Sequence, residues 1–383
     1  MVTIFPLKQF SAEQTPFYYY NIELLEETLN VIKNCTNDVP FHVHYAVKAN
    51  ANNRILTVIK NAGLGVDCVS GGEVKASIDA GFDCKKIVYA GVGKTDKEIN
   101  LALDADILCF NVESIPELEA INELATAKGK IADIAFRVNP NVDAHTHKYI
   151  TTGLSENKFG INMEQLPEVL SIASTMSNIN VVGLHFHIGS QITELEPFVK
   201  LCEKVNELQC EVEKLGVKLK IINVGGGLGI DYVNPDENPI TAFKEYFNIF
   251  KNNLHLREGQ EVHFELGRAI VAQCGSLITK VSYVKKGTIK QFVITDAGMT
   301  DLIRPALYQA HHKIENITSS ATETAIYDVV GPICESSDCF GENEVLPITQ
   351  RGDLLALRSA GAYGEIMASR YNLRDLPNSV YSK

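Results

Sequence analysis

HVHYAVK, residues 42–48, is an apolar run closed by a lysine, and NRILTVIKNAG behind it, residues 53–63, spaces its apolar side chains as a helix does. Together they read as one βα unit. Working outward, the same alternation recurs through GVDCV (65–69), KIVYA (86–90), DILCFN (106–111), IADIAFRV (131–138), VVGLHFH (181–187), KIINV (220–224) and EVHFEL (261–266). Eight parallel strands, each followed by a helix, close a TIM-type (β/α)8 barrel, so the fold class is α/β. Helix starts are marked by Ser70 with Glu73, by Thr95 with Glu98, and by Ser114 with Glu117, where Pro116 sits in the first turn.

After Arg268 the pattern changes. SLITKVSYVKKG (276–287), KQFVITDAG (290–298), TAIYDVVG (324–331) and RGDLLALRSAGAY (351–363) are β-rich and separated by turn residues. A C-terminal all-β domain, of barrel type, is therefore expected beyond about residue 270. The 383 residues suffice for a barrel and one smaller domain, and no internal repeat or low-complexity segment interrupts them.

The composition is that of a compact globular protein, 45% hydrophobic and 21% charged. A formal charge of −12 with no basic run argues against nucleic acid as a partner. Nine cysteines without a CxxC pair fit reduced thiols. No segment approaches the ~20 apolar residues of a membrane helix, and MVTIFPLKQF lacks the apolar stretch of a signal peptide. A cytoplasmic protein without a membrane partner is expected.

In such a barrel the chemistry lies at the C-terminal ends of the strands, so the polar residue closing each run is the candidate. These are Lys48, Ser70, Arg137, His185 with His187, Gly225 to Gly227, and Glu265 with Arg268. An isolated strand-end lysine is usually a surface residue with its head in water. Accompanied by a carboxylate, histidines and a glycine-rich loop, Lys48 reads instead as a Schiff-base amine, since desolvation and nearby cations lower a lysine's pKa toward neutrality. VGGGLGID (224–231) lets backbone N–H groups approach a phosphate, and it matches neither the dinucleotide fingerprint nor the Walker pattern. Ser190 offers a further phosphate donor. His185 and His187, two apart on a strand, face one side. Stacking on a cofactor ranks first for them, metal ligation second and core packing third, and no metal ligand set is assigned. His145 and His147, in NPNVDAHTHKYITTG (139–153), are read as solvated or gating residues.

YAVKAN (45–50) resembles the cofactor-lysine motif of the fold-type III pyridoxal-phosphate decarboxylases, which share an alanine racemase-like barrel. The likeness extends through NPNVDAHTHKYITTG, NKFGI (157–161), GLHFHIGSQI (183–192), NVGGGLGIDY (223–232), FELGR (264–268), RPALY (304–308), GPICESSD (331–338) and GAYGEIMAS (361–369), in the order of the diaminopimelate decarboxylases. The resemblance implies pyridoxal 5'-phosphate as cofactor and an amino acid as substrate. It also implies a barrel over 26–270, a β domain of 1–25 plus 271–383, and a homodimer in which each β domain completes its partner's active site. By motif, Lys48 carries the cofactor, His187 stacks on its ring and Glu265 pairs with its pyridine nitrogen. Gly226, Gly227, Ser190 and Arg268 surround its phosphate. Arg268, Arg304, Tyr308, Glu335 and Tyr363 bind substrate, with Tyr363 also touching the cofactor. Cys334 is the proton donor, and it crosses the dimer interface with Glu335. The other eight cysteines, Cys339 among them, read as inert buried packers.

The family's usual proline in Glu-Pro-Gly-Arg is here Leu266, which relaxes a backbone restraint and leaves both functional side chains in place. A fork-shaped guanidinium at Arg304 suits a distal carboxylate, and Glu335 suits a distal amine, a pair of demands that meso-diaminopimelate meets. The alternatives are a related decarboxylase for ornithine, arginine or carboxynorspermidine, a non-catalytic cofactor-binding barrel, and a metal-dependent hydrolase using His185 and His187.

Overall fold

Phe41–Ala46, Gly65–Cys68, Ile87–Tyr89, Cys109–Val112, Ala132–Asn139, Ile179–His185, Ile221–Asn223 and Glu261–Leu266 pair in parallel, each with its neighbours in the chain's order. The ring closes where Phe41–Tyr45 of the first strand runs in register with Val262–Leu266 of the eighth. These are the eight runs picked out by apolar content. The computed structural model describes residues 5–142 and 158–382, so His145 and His147 lie outside the described residues.

Alternation along each strand sorts its side chains between lumen and helix layer. On the eighth strand Phe264 faces the helices, its ring 5.1 Å from Phe41, 5.0 Å from Phe247 and 5.1 Å from Phe250. Complete burial of such a ring contributes about 2–3 kcal/mol. Glu261, His263 and Glu265, in the other phase, face the lumen, and the two functions of the strand are thereby separated residue by residue.

The helix starts are capped by the residues the sequence marks. Ser70 Oγ accepts the N–H of Glu73, whose carboxylate accepts the Val69 N–H at 2.8 Å. Ser114 and Glu117 repeat this, with Glu117 accepting from Glu113 N at 2.9 Å, and Glu98 accepts from Thr95 N at 3.0 Å. Each cap anchors a strand-to-helix loop on the rim where the candidate residues lie.

The chain divides into two units: Thr28–Gly229 with Ala242–Gly267, and Met1–Glu27 with Ile230–Thr241 and Arg268–Lys383. Ile230–Thr241, inside the 26–270 span read as barrel, groups with the β unit. That unit is an eight-stranded mixed sheet. Its long strand Gly275–Lys286 pairs antiparallel with Phe17–Tyr20, Gln291–Thr295 and Leu354–Leu357. Phe17–Tyr20 also lies parallel to the last strand, Asn378–Tyr381. Phe10, Phe17, Tyr19, Ile278 and Val380 form a buried cluster over this seam, which gives the N-terminal segment an apolar reason to sit there. Among the described residues no helix is long and apolar enough to cross a membrane.

Candidate active site

The first barrel strand ends at Ala46, and a single 3-10 turn, Val47–Ala49, presents Lys48 beyond it. Tyr45 Oη donates to the Asn50 carbonyl at 2.8 Å, which ties that turn down. Lys48 Nζ donates to Asp67 Oδ2 at 3.0 Å. A buried carboxylate is thus among its partners. Asp67, the last residue but one of the second strand, is completely buried, and its other oxygen has no hydrogen-bond partner among the described residues. Burial, with the charge of Glu265 added, pushes the Asp67 carboxyl up to about 7, while Lys48 pulls it down.

Glu265, near the end of the eighth strand, gathers hydrogen bonds from three side chains. Its Oε1 accepts from Asn111 Nδ2 at 2.9 Å and Asn223 Nδ2 at 2.8 Å, and its Oε2 meets His185 Nε2 at 2.9 Å. Burial opposes ionisation, but the charge and hydrogen bond of His185, with Lys48 and His187 beyond, outweigh it and hold the carboxyl well below its usual range. An ionised carboxylate offers about four lone-pair sites. Three are used here, so one more donor can be accepted. Asn223 closes the seventh strand and Asn111 is the last residue but one of the fourth; the rule that located Lys48 and Glu265 points to both, yet neither was singled out.

The strand Ile179–His185 stops at His185, so the two histidines part company. His185 supports Glu265, and His187 lies in the following loop, where its Nδ1 accepts the Gly226 N–H at 3.3 Å. That bond leaves the proton of the neutral ring on Nε2. Burial, then Arg137 and Lys48, drive the His187 pKa well below its ordinary value, so the ring is neutral. No group of three metal ligands includes either histidine among the described residues.

Gly225 and Gly227 have φ of +69° and +109°. A Cβ on Gly225 would fall 2.2 Å from the Phe186 carbonyl, and one on Gly226 would fall 2.0 Å from the Glu265 carbonyl. The glycines are therefore required by close backbone approach. Ser190 follows the sixth strand nearby in sequence. Glu113, missed from sequence, accepts both bonds of Arg137 Nη1 at 3.1 Å and the N–H groups of Gly91 and Gly160, locking three rim loops together.

A second polar cluster belongs to the β unit. Arg268 and Arg304 are buried, and both donate to Tyr232 Oη, at 2.6 and 2.9 Å. Arg304 Nη1 also donates to His312 Nε2 at 2.9 Å, while His312 Nδ1 donates to the Arg358 carbonyl. Burial and the Arg304 charge hold the His312 pKa down at about 3, so this imidazole is neutral. Tyr363 lies under the Arg268 guanidinium, 4.9 Å from its ring centroid, with a left-handed φ of +56° that a non-glycine residue rarely adopts. Pro305 opens the short helix Arg304–Tyr308, which puts Tyr308 on the same turn system as Arg304. Tyr232 and His312 were not found from sequence, although Tyr232 closes the quoted NVGGGLGIDY block.

Cys334 is exposed, and Glu335 beside it accepts from Tyr371 Oη at 2.7 Å. Of the remaining cysteines, Cys68, Cys109, Cys202 and Cys274 are buried, but Cys210 is exposed with Arg257 Nη2 3.4 Å from its sulfur. It lies on the outer face of the helix Glu196–Lys214, so the buried-packer reading does not hold for it. Leu266 is buried and pairs with Tyr45 in the closing register, where the following Gly267 packs against Ala46 and Ala49.

On the barrel rim, a lysine amine, a carboxylate with one acceptor site left, a neutral imidazole and a glycine cradle too tight for any Cβ fit pyridoxal phosphate: aldehyde, ring nitrogen, ring face and phosphate each have a complement. The chain matches the model of the pyridoxal-dependent decarboxylases, pyridoxal binding domain, over residues 23–272. It is 60% identical to diaminopimelate decarboxylase of Bacteroides thetaiotaomicron over 383 residues, all of this chain and 99% of that one. The enzyme of the same name from Haemophilus influenzae is 45% identical over 96% of this chain and 88% of its own length. The crystal structure of diaminopimelate decarboxylase from Helicobacter pylori, complexed with L-lysine, superposes with a TM-score of 0.93 at 40% identity, covering 98% of this chain and 94% of that one. Site chemistry, fold and full-length identity agree, and the chain belongs to the diaminopimelate decarboxylases within the pyridoxal-dependent decarboxylase family.

Proposed function

We propose that this enzyme converts meso-2,6-diaminopimelate to L-lysine and CO2, the last step of lysine biosynthesis, with pyridoxal phosphate carried on Lys48. The observation that carries the substrate is Arg304. It is buried, its partners are a phenol and a neutral imidazole, and both of those bonds leave from Nη1. The Nε and Nη2 edge has no hydrogen bond among the described residues, and that edge is the fork that grips a carboxylate with two parallel bonds. An amino acid with a second carboxylate suits it; ornithine and arginine have none to offer.

Bound pyridoxal phosphate supplies the electron sink for the breaking bond between Cα and its carboxylate. The residues' own tasks follow from the geometry. Lys48 Nζ holds the cofactor, and Asp67, titrating near 7 at 3.0 Å, takes or returns the proton that this amine loses or regains. Glu265 stays ionised under its three donors, and its remaining acceptor site would pair with the cofactor's ring nitrogen and favour its protonated form. His187, neutral, stacks on the ring. Gly226, Gly227, Ser190 and Arg268 receive the phosphate, and Arg268, Arg304, Tyr308 and Tyr363 bind substrate.

Cys334 of the partner subunit delivers the final proton to Cα, and Glu335 of the partner subunit takes the distal amine. A homodimer is supported by the surface around these residues: Leu373 is 96% exposed, with Ile366, Tyr371 and Leu376 exposed beside it in sequence. Apolar groups of that kind mark a contact surface. The domain division 26–270 against 1–25 plus 271–383 and a cytoplasmic location belong to the same reading.

The test is turnover of meso-diaminopimelate by purified enzyme with and without added pyridoxal phosphate, beside Lys48→Ala and beside ornithine and arginine. Stoichiometric CO2 and L-lysine from diaminopimelate alone, abolished in Lys48→Ala, is expected. Faster release of CO2 from ornithine or arginine would refute the substrate, and borohydride treatment that leaves Lys48 unmodified in the holoenzyme would refute the chemistry.

A further inference from the structure

Glu261, His263 and Glu265 line one lumen-facing row of the eighth strand, and Glu265 stands at its C-terminal end. Glu261 lies four residues back, roughly 13 Å toward the opposite mouth of the barrel at about 3.3 Å per residue. There a second group of titratable side chains gathers that the decarboxylation does not use. His42 faces His263 directly in the register that closes the barrel.

A chain of hydrogen bonds determines the protonation of these rings. His44 Nδ1 lies 3.1 Å from the Lys86 carbonyl, which can only accept, so Nδ1 carries hydrogen and Nε2 of the neutral ring is bare. That bare Nε2 is 2.9 Å from His263 Nδ1, which therefore donates, leaving His263 Nε2 with a lone pair. His263 is only 2% exposed, and its Nε2 has no hydrogen-bond partner among the described residues. It points at Glu261 Oε2, 3.6 Å away, and His42 Nε2 is 3.9 Å from the same oxygen. The bare Nε2 of His263 and the Glu261 carboxylate repel unless a proton or a metal cation lies between them, and the exposed His42 ring can turn a lone pair to the same point.

The geometry points to a divalent transition-metal site of the zinc class, held by His42 Nε2, His263 Nε2 and Glu261 Oε2. These three atoms lie within 4.8 Å of one another. Tetrahedral zinc at 2.0–2.1 Å from each ligand needs separations of roughly 3.3 Å, a small closure that the exposed His42 ring can supply. Two imidazoles select such an ion over calcium or magnesium, which take oxygen ligands. His44 orients His263 as the outer partner of a metal-bound imidazole does, by bonding its other nitrogen. A cavity of about 410 Å3, lined by His42, Glu261 and His263 together with Lys86 and Lys220, opens beside the three ligands and leaves room for a water in the fourth position. Because the ligands come from the first and eighth strands, the ion pins the seam at which the barrel closes. Its role is stabilisation, at the end of the barrel remote from the strand termini that carry chemistry.

The experiment uses chelator-treated holoenzyme dialysed against Co2+ and against Zn2+, with metal content, the cobalt ligand-field spectrum and thermal unfolding as readouts. His42→Ala, at an exposed position, and Glu261→Gln are measured in parallel. One ion per chain, a four-coordinate cobalt spectrum and a raised Tm are expected in the parent, with binding at least about tenfold weaker in both variants. Diaminopimelate turnover stays unchanged in His42→Ala. Substoichiometric metal, or binding that both variants leave unaltered, as exposed thiols such as Cys210 would give, overturns the proposal.

Discussion

Arg304→Met removes the guanidinium and keeps an unbranched side chain of similar length. In the parent the Nε and Nη2 edge, which has no hydrogen bond among the described residues, can make two charge-assisted bonds to the distal carboxylate, because Tyr232 and His312 occupy only Nη1. Such bonds contribute about 1.5–3 kcal/mol each, and allowing for their competition with water the loss is about 3 kcal/mol, or roughly 150-fold in kcat/KM. Most of it should fall on KM, since the carboxylate is distant from the bond that breaks. The control is substrate choice: an amino acid without the second carboxylate is poor in the parent, and the ratio between the two substrates should collapse toward one in the variant. Stability falls too, by about 1–3 kcal/mol, as His312 Nε2 loses its donor. Kinetics are therefore taken well below the variant's Tm, with circular dichroism as the check on folding. A kcat/KM for diaminopimelate within about twofold of the parent, in a folded variant, would show that Arg304 does not read the distal carboxylate.

Glu265→Gln keeps the side-chain shape but loses the charge, and its amide nitrogen must face one of the three donors now bonded to the carboxylate. A fall in kcat of at least about a hundredfold, with cofactor still bound, is expected from single-turnover kinetics. Asp67 sets a pH dependence in the apoprotein. Its carboxyl, raised to about 7, binds a proton more tightly folded than unfolded, so that stabilisation is complete below about pH 4 and is lost as pH rises through about 7. Urea unfolding of Asp67→Asn should lack this slope, gaining up to about 3 kcal/mol on the parent between about pH 5 and about pH 8, and equal slopes would refute the assignment. Leu373→Glu places a charge on the exposed apolar patch; sedimentation should show monomers and diaminopimelate turnover should fall with them, whereas an active monomer would deny that Cys334 and Glu335 act across an interface.

Much of the rim was legible before any coordinates. A parallel barrel strand is apolar until it emerges, so the polar residue ending a run is forced to its C-terminal end, and Lys48, His185 and Glu265 follow from that alone. Asn111 and Asn223 follow from it equally and were passed over because an amide ending a strand looks like ordinary turn chemistry. The roles of Arg304, Cys334 and Glu335 came from motif resemblance, since nothing in the local pattern of the β-rich half distinguishes a buried arginine from a surface one.

Periodicity in the chain determined the eight strands, their phase and the residues each delivers to lumen or rim, because those depend only on the repeat of a strand and the polarity of its side chains. Which delivered groups meet was decided by closure and register. Asp67 finds Lys48 because the second strand lies beside the first, Asn223 from the neighbouring seventh strand meets His185 and Asn111 from the sixth and fourth at Glu265, and His263 faces His42 only because the eighth strand returns to the first. Partners so far apart in sequence are chosen by how the ring closes, and no local stretch of chain carries that information.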